Sequence, residues 1–215
     1  MRPVWKGAIS FGLVKIPVKM YTAVEDKTIK FRYLHRQCNA PLNYQRVCSR
    51  CGKQVEWEET ARGYEYQKGH FIVMEEEDFD KIPAKQTHTI DIVDFCNLAE
   101  IDPVYYHKTY YLGPEEAGKK AYNLLSATLR GSDKVAVAKV VIRSKQSLAA
   151  IRVFEDVLVM ETMNYPDEVR PPQQVPGLDK AVQATQRELD MAAKLVDGMA
   201  APFEPKKYKI GRAHV

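Results

Sequence analysis

Between residues 135 and 163 three β-rich segments follow one another closely, at 135–143, 147–154 and 157–163. Nothing else in the chain constrains its fold as much. Joins this short leave consecutive strands no option but to lie antiparallel, as a meander. Asn164-Tyr165-Pro166 ends the last segment, because a proline steers the residue before it and removes a ladder donor.

The rest of the chain must pack against that meander. Residues 8–21 are rich in β-branched and aromatic residues and predict one bent strand, with Pro17 at an edge or bulge. Val14, Ile16, Val18 and Met20 form its core face, with Lys15 and Lys19 opposite. Residues 28–34 predict a second short strand in which Lys30 and Arg32 share a face. Residues 63–74 predict a hairpin turning near Lys68-Gly69, and Glu75 to Lys81 a short acidic helix or turn. Further strands are expected at 88–95 and 104–112. An amphipathic helix is expected from Glu115 to Arg130, burying Ala121, Leu124, Leu125, Thr128 and Leu129 and stopped by Gly131. Pro171 to Gly177 is a linker or surface segment, and a last helix covers Asp179 to Met199. Strands, helix, strands, helix is the order of an α+β protein with an antiparallel sheet or barrel.

The sharpest local motif is His35-x2-Cys38-x9-Cys48-x2-Cys51-Gly52. Two close pairs supply the four N/S ligands of a closed tetrahedral zinc site, which is structural because no coordination position stays open. The alternative is an incidental Cys38 and a plain Cys48–Cys51 turn. Cys96, within Ile92-Val93-Asp94-Phe95-Cys96, reads as a small core hydrophobe.

Charge is arranged in blocks. Residues 1–54 carry 11 Lys/Arg against 2 Asp/Glu, and residues 119–152 carry 8 against 1. Residues 55–118 carry 5 against 15, and residues 153–215 carry 8 against 10. Brought together by folding, the two basic blocks would make one positive surface for a polyanion. Lys139 and Arg143 alternate with Ala138, Val140 and Ile142, Lys145 sits at the hairpin tip, and Arg152 lies on the return strand. Cations on a smooth sheet face suit phosphate contact without base reading; the alternative is an ordinary solvated hairpin face.

Enzyme signatures are missing from the sequence: no Gly-x-Gly-x-x-Gly, no Walker motif and no Gly-x-Ser-x-Gly elbow occurs. The opening Met1-Arg2-Pro3-Val4-Trp5-Lys6-Gly7 has no apolar leader, so the expected location is the cytoplasm.

Many motifs carry a family resemblance. The opening Arg2-Pro3-Val4-Trp5-Lys6-Gly7-Ala8-Ile9-Ser10-Phe11-Gly12-Leu13-Val14, continuing through Ile16-Pro17-Val18-Lys19-Met20-Tyr21, resembles the N-terminus of bacterial Ku proteins. Collinear matches follow at Gly63 to Tyr66, Ile92 to Phe95, Glu100 to Tyr106, Tyr110 to Pro114, Ile142 to Gln146, Tyr165 to Arg170 and Pro202 to Pro205. The resemblance covers residues 2–208. It implies a β-barrel core and a ring-forming homodimer that passes duplex DNA through its channel. It also implies sequence-independent binding of double-stranded DNA ends in non-homologous end joining, recruitment of a multifunctional ATP-dependent DNA ligase, and no catalysis by the chain itself.

On that basis residues 1–175 are expected to form the barrel core, and 35–54 resembles the zinc-ribbon-like insert of some relatives, while others lack the ligands; the motif's own spacing leads to the expectation of one structural Zn2+ held by His35, Cys38, Cys48 and Cys51. Residues 176–208 form a C-terminal helical arm that ends early by family standards, and 209–215 an atypical tail. The expected DNA contacts are Lys15, Lys19, Lys30, Arg32, Lys139, Arg143, Lys145 and Arg152. Of these, Lys19, Arg143 and Lys145 fall within matched motifs, and Lys15 stands where the family leads one to expect Asn. The competing expectation is a zinc-ribbon adaptor that binds a protein partner and no DNA.

Overall fold

In the computed structural model, β1 (Trp5–Phe11) and β2 (Val14–Thr22) form a hairpin across Gly12-Leu13. This corrects the single bent strand expected over 8–21. Gly12 takes φ +55°, a left-handed conformation that glycine adopts without a Cβ penalty, so the chain reverses there. Pro17 stands inside β2, opposite Ala8. The Ala8 N–H bonds His88 O on the other side of β1, and β2 begins to pair with the strand beyond it only at Val18. The missing Pro17 donor therefore interrupts no rung. The structure describes residues 1–80, 88–143, 145–178 and 184–208.

After an irregular stretch come the hairpin β3 (Arg62–Gln67) and β4 (His70–Met74) and the short helix α1 (Glu76–Asp80). Then follow β5 (Thr89–Asn97), β6 (Tyr106–Pro114), α2 (Lys119–Ser132), β7 (Lys134–Ile142), β8 (Lys145–Phe154), β9 (Val157–Met163) and α3 (Gln186–Met199). Among the described residues the barrel closes in the order β1-β2-β6-β9-β8-β7-β5, with β3–β4 a separate two-stranded sheet. The meander and the 63–74 hairpin stand as expected. The barrel is not wholly antiparallel, however. β1 and β5 run parallel, from Ala8↔Thr89 to Ser10↔Asp91. The long intervening chain lets β5 return in the same direction, as a tight turn could not.

Three further expectations are corrected. Residues 28–34 form no strand; Leu34 makes only an isolated bridge to Pro41, and Ile29, Phe31 and Tyr33 are exposed. Alternation alone does not make a strand when no neighbour supplies the ladder. α2 continues through Gly131 to Ser132, and Asp133 ends it at φ +50°. Its buried face is Tyr122, Leu125, Ser126 and Leu129, while Leu124 is exposed. The last helix begins at Gln186, where Thr185 and Glu188 form a capping box. The expected start at Asp179, the turn residue Ser144, Lys81 and the tail 209–215 lie outside the described residues.

The core fills the barrel with Ile9, Ile16, Val18, Ile90, Val140 and Met160, and α2 plugs one end. Tyr122 does more than fill space there. Leu112↔Leu158 is the final rung between β6 and β9, and the Tyr122 hydroxyl is inserted into it. The hydroxyl donates to Leu112 O at 2.6 Å and accepts from Leu158 N at 2.8 Å. Burial pushes this phenol up from its ordinary pKa, so it stays protonated and able to donate. Tyr122→Phe is expected to leave both backbone groups unpaired and to cost about 1–3 kcal/mol, read by urea unfolding. An unchanged midpoint would contradict this role.

Candidate nucleic-acid interface

Strand register sorts the basic residues by face. Ile9, Ile16, Ile90 and Val140 are buried in the barrel, so their sequence neighbours face outward. The pairings Ser10↔Lys15, Ser10↔Asp91 and Asp91↔Lys139 place Lys15 and Lys139 in one row across β2, β1, β5 and β7. Both lysines are exposed. Further along, Lys6 stands directly opposite Lys19. Like charges facing across strands repel, and this pair is relieved by Glu115, 3.7 Å from Lys19 Nζ. An anion on this face would relieve it further. Sequence reasoning missed Lys6, although it lies inside the opening motif.

The β7–β8 hairpin does not present its cations on one face, as the alternation suggested. Lys139 is on the outer row. Lys145 pairs with Ile142, which packs against the core, so Lys145 belongs to the inward-facing set at the barrel's open end. Arg143 lies beyond the end of β7 at φ +50°, where alternation no longer applies. A left-handed conformation costs a residue with a Cβ about 1 kcal/mol, tolerated here at the strand connection.

Arg152 is engaged elsewhere. Its Nε and one terminal nitrogen bond the two oxygens of Glu161 at 2.9 and 2.8 Å. These hydrogen bonds raise the Arg152 pKa further, against the effect of burial. Glu161 is almost fully buried, so this pair secures the carboxylate and offers little to an outside phosphate. Lys30 and Arg32 sit in the irregular stretch 24–33, outside any strand, with Lys30 3.8 Å from Asp26. Cys96 is half-buried, and burial first, then nearby Glu100 and Asp94, hold its thiol above the ordinary range. This fits a packing residue.

The His/Cys motif forms two matching loops. Asn39 N bonds His35 O at 2.7 Å, and Gly52 N bonds Cys48 O at 2.8 Å. His35 N bonds Ala40 O and Cys48 N bonds Lys53 O, both at 2.9 Å. Asn39 and Gly52 both adopt positive φ, and the bridges Leu34↔Pro41 and Val47↔Gln54 flank the two turns alike. Within the first loop His35 Nδ1 is 3.2 Å from Cys38 Sγ. Within the second, hydrogen bonds from the Cys51 and then the Arg50 backbone hold the Cys48 thiol below its ordinary range, favouring the thiolate that a metal needs. Each pair is formed, but among the described residues no three His, Cys, Asp or Glu side chains converge on one point. The donor chemistry suits zinc, and the two pairs stand apart.

Comparison with known proteins agrees with this architecture. A family model described as the Ku70/Ku80 beta-barrel domain matches residues 10–191. A Bacillus subtilis protein named non-homologous end joining protein Ku is 47% identical over 97% of this chain and 68% of its own length. Proteins of the same name from Desulfitobacterium hafniense and Archaeoglobus fulgidus are 46% and 39% identical. Each match covers 97% of this chain, and 73% and 83% of the respective relative.

Proposed function

This chain belongs to the Ku family, and on that premise we propose that it binds the ends of double-stranded DNA in non-homologous end joining, as a homodimer closed around the duplex. The observation that carries the reading is the outer row of Lys15 and Lys139, with Lys6 and Lys19 beside it, on a barrel of this family. Such a surface contacts phosphates and has no means of reading bases. The proposal gives the chain no bond to make or break. Its partners are linear duplex DNA, a second copy, and a multifunctional ATP-dependent DNA ligase.

Exposed apolar surface supports the homodimer. A 14-residue helix is marginal in water by itself, yet Leu189, Val196 and Met199 on α3 are all exposed at helical spacing. A lone two-stranded hairpin is equally marginal, and β3–β4 exposes Tyr64, Tyr66, Phe71 and Ile72. A second copy covering these surfaces would provide the missing burial. Sedimentation of the purified chain is expected to give a dimer, and a mobility shift is expected on short linear duplex at low salt that fades steeply as salt rises. A monomer that shifts no duplex would favour the protein-binding adaptor.

We extend the proposal to one zinc ion per chain, held by His35, Cys38, Cys48 and Cys51 once the two loops draw together. The metal would supply the loops with the core that so short a segment lacks. Elemental analysis of protein never exposed to chelator is expected to give close to one zinc per chain, and Cys48→Ser to lose it. A value well below one for the wild type would contradict this.

A further inference from the structure

The open end of the barrel, opposite α2, is a cleft of about 610 Å³. That falls within the ~300–1,000 Å³ range of small-molecule sites, and it is far too small for a duplex. Its lining includes His107, Lys108, Arg143 and Lys145, together with the hydroxyl residues Thr22 and Ser147. No Asp or Glu is among the described lining residues. The outer row does not account for this cluster. Lys108 pairs with Thr162 and Lys145 with Ile142, both in the inward-facing register, so strand geometry brings their cations to the mouth. Thr162 Oγ1 fixes the start of β6 there, accepting from Lys108 N at 3.1 Å. One carboxylate approaches from outside the lining: Glu168 lies 3.4 Å from Lys145 Nζ. Its other oxygen takes the Tyr165 N–H at 2.8 Å, which holds it in place. Lys108 and Arg143 have no such counter-ion among the described lining residues. Converging like charges are costly unless an anion joins them, and hydroxyls beside cations are what a phosphate with several acceptor oxygens requires.

We infer that the barrel mouth binds the phosphate monoester of a nucleotide, either free or at the terminus of a DNA strand. The second source rests on the end-binding reading; the first does not. The cleft admits one phosphate and its sugar, whereas the outer row meets the rails of a duplex.

The test uses the full chain and two titrations at constant ionic strength. In the first, deoxyadenosine 5′-monophosphate is expected to bind at least about tenfold more tightly than deoxyadenosine, the effect of one charge-assisted contact. In the second, linear duplexes with 5′-phosphate and 5′-hydroxyl ends are compared. A similar advantage for the phosphate assigns the site to strand termini, and equal binding with a positive first titration assigns it to free nucleotides. Arg143→Gln and Lys108→Met are expected to erase whichever preference is found, and Lys134→Gln to keep it, with circular dichroism checking that each variant is folded. Preference in neither titration, or a preference unchanged in both folded variants, overturns the inference. If no duplex binds at all, the end-binding reading fails and the mononucleotide titration alone decides the site.

Discussion

Gly7→Ala is expected to destabilise the fold by at least about 3 kcal/mol, enough to leave a protein of ordinary stability largely unfolded on modest warming. A Cβ on Gly7 would lie 2.2 Å from His88 O and 2.2 Å from the Trp5 ring. The carbonyl is the less forgiving neighbour, because His88 O accepts the Ala8 N–H at 3.0 Å at the start of the β1–β5 seam. Among the described residues that seam pairs only three residues of each strand. Moving β5 aside to admit a methyl group would open the barrel where it has least pairing to spare. Urea unfolding of Gly7→Ala against wild type measures the loss. A change under about 1 kcal/mol would show that the seam yields more easily than its geometry implies. The same opening would misplace Asp91 and Lys139 on β5 and β7, so binding should fall with stability.

Reversing both lysines of the outer row, Lys15→Glu with Lys139→Glu, is expected to weaken duplex binding on the order of 100-fold at low salt. Each lost phosphate contact should also flatten the plot of log affinity against log salt by about one unit. The loss should be equal for all sequences, because no base contact is involved. Stability should change little, since both side chains are exposed; the carboxylate introduced by Lys139→Glu would face Asp91, a repulsion of about 1 kcal/mol at most. An unchanged slope would clear the row of phosphate contact.

The barrel was legible wherever strands follow each other in sequence. The meander could be read because its turns are short, and α2 because its apolar stripe has helical period. The β1–β5 seam was not legible, since no local pattern says which distant strand closes a barrel or in which direction. The stretch 8–21 reads as one bent strand but is a hairpin turning at Gly12, because glycine marks a departure from extended backbone without saying how sharp it is. The placement of the candidate residues was legible in part. Lys15, Lys19 and Lys139 could be placed from alternation, because β2 and β7 are regular strands. Lys30 and Arg32 could not, because the alternating stretch that carries them has no partner strand. Arg152 looked free, as the carboxylate that holds it comes from the neighbouring strand. Lys108 went unnoticed because it sits within the acidic block of residues 55–118, and only the register of β6 with β9 brings it to the mouth.

On the proposed function, two copies close around duplex DNA and load only where it stops. The most direct measurement competes a labelled linear fragment against unlabelled duplex of the same sequence, either linear or covalently closed. The account predicts that the linear competitor displaces the label at equal mass and the closed circle does not, until one cut restores its competition. Circles that compete as well as linear duplex, before any cut, would contradict it.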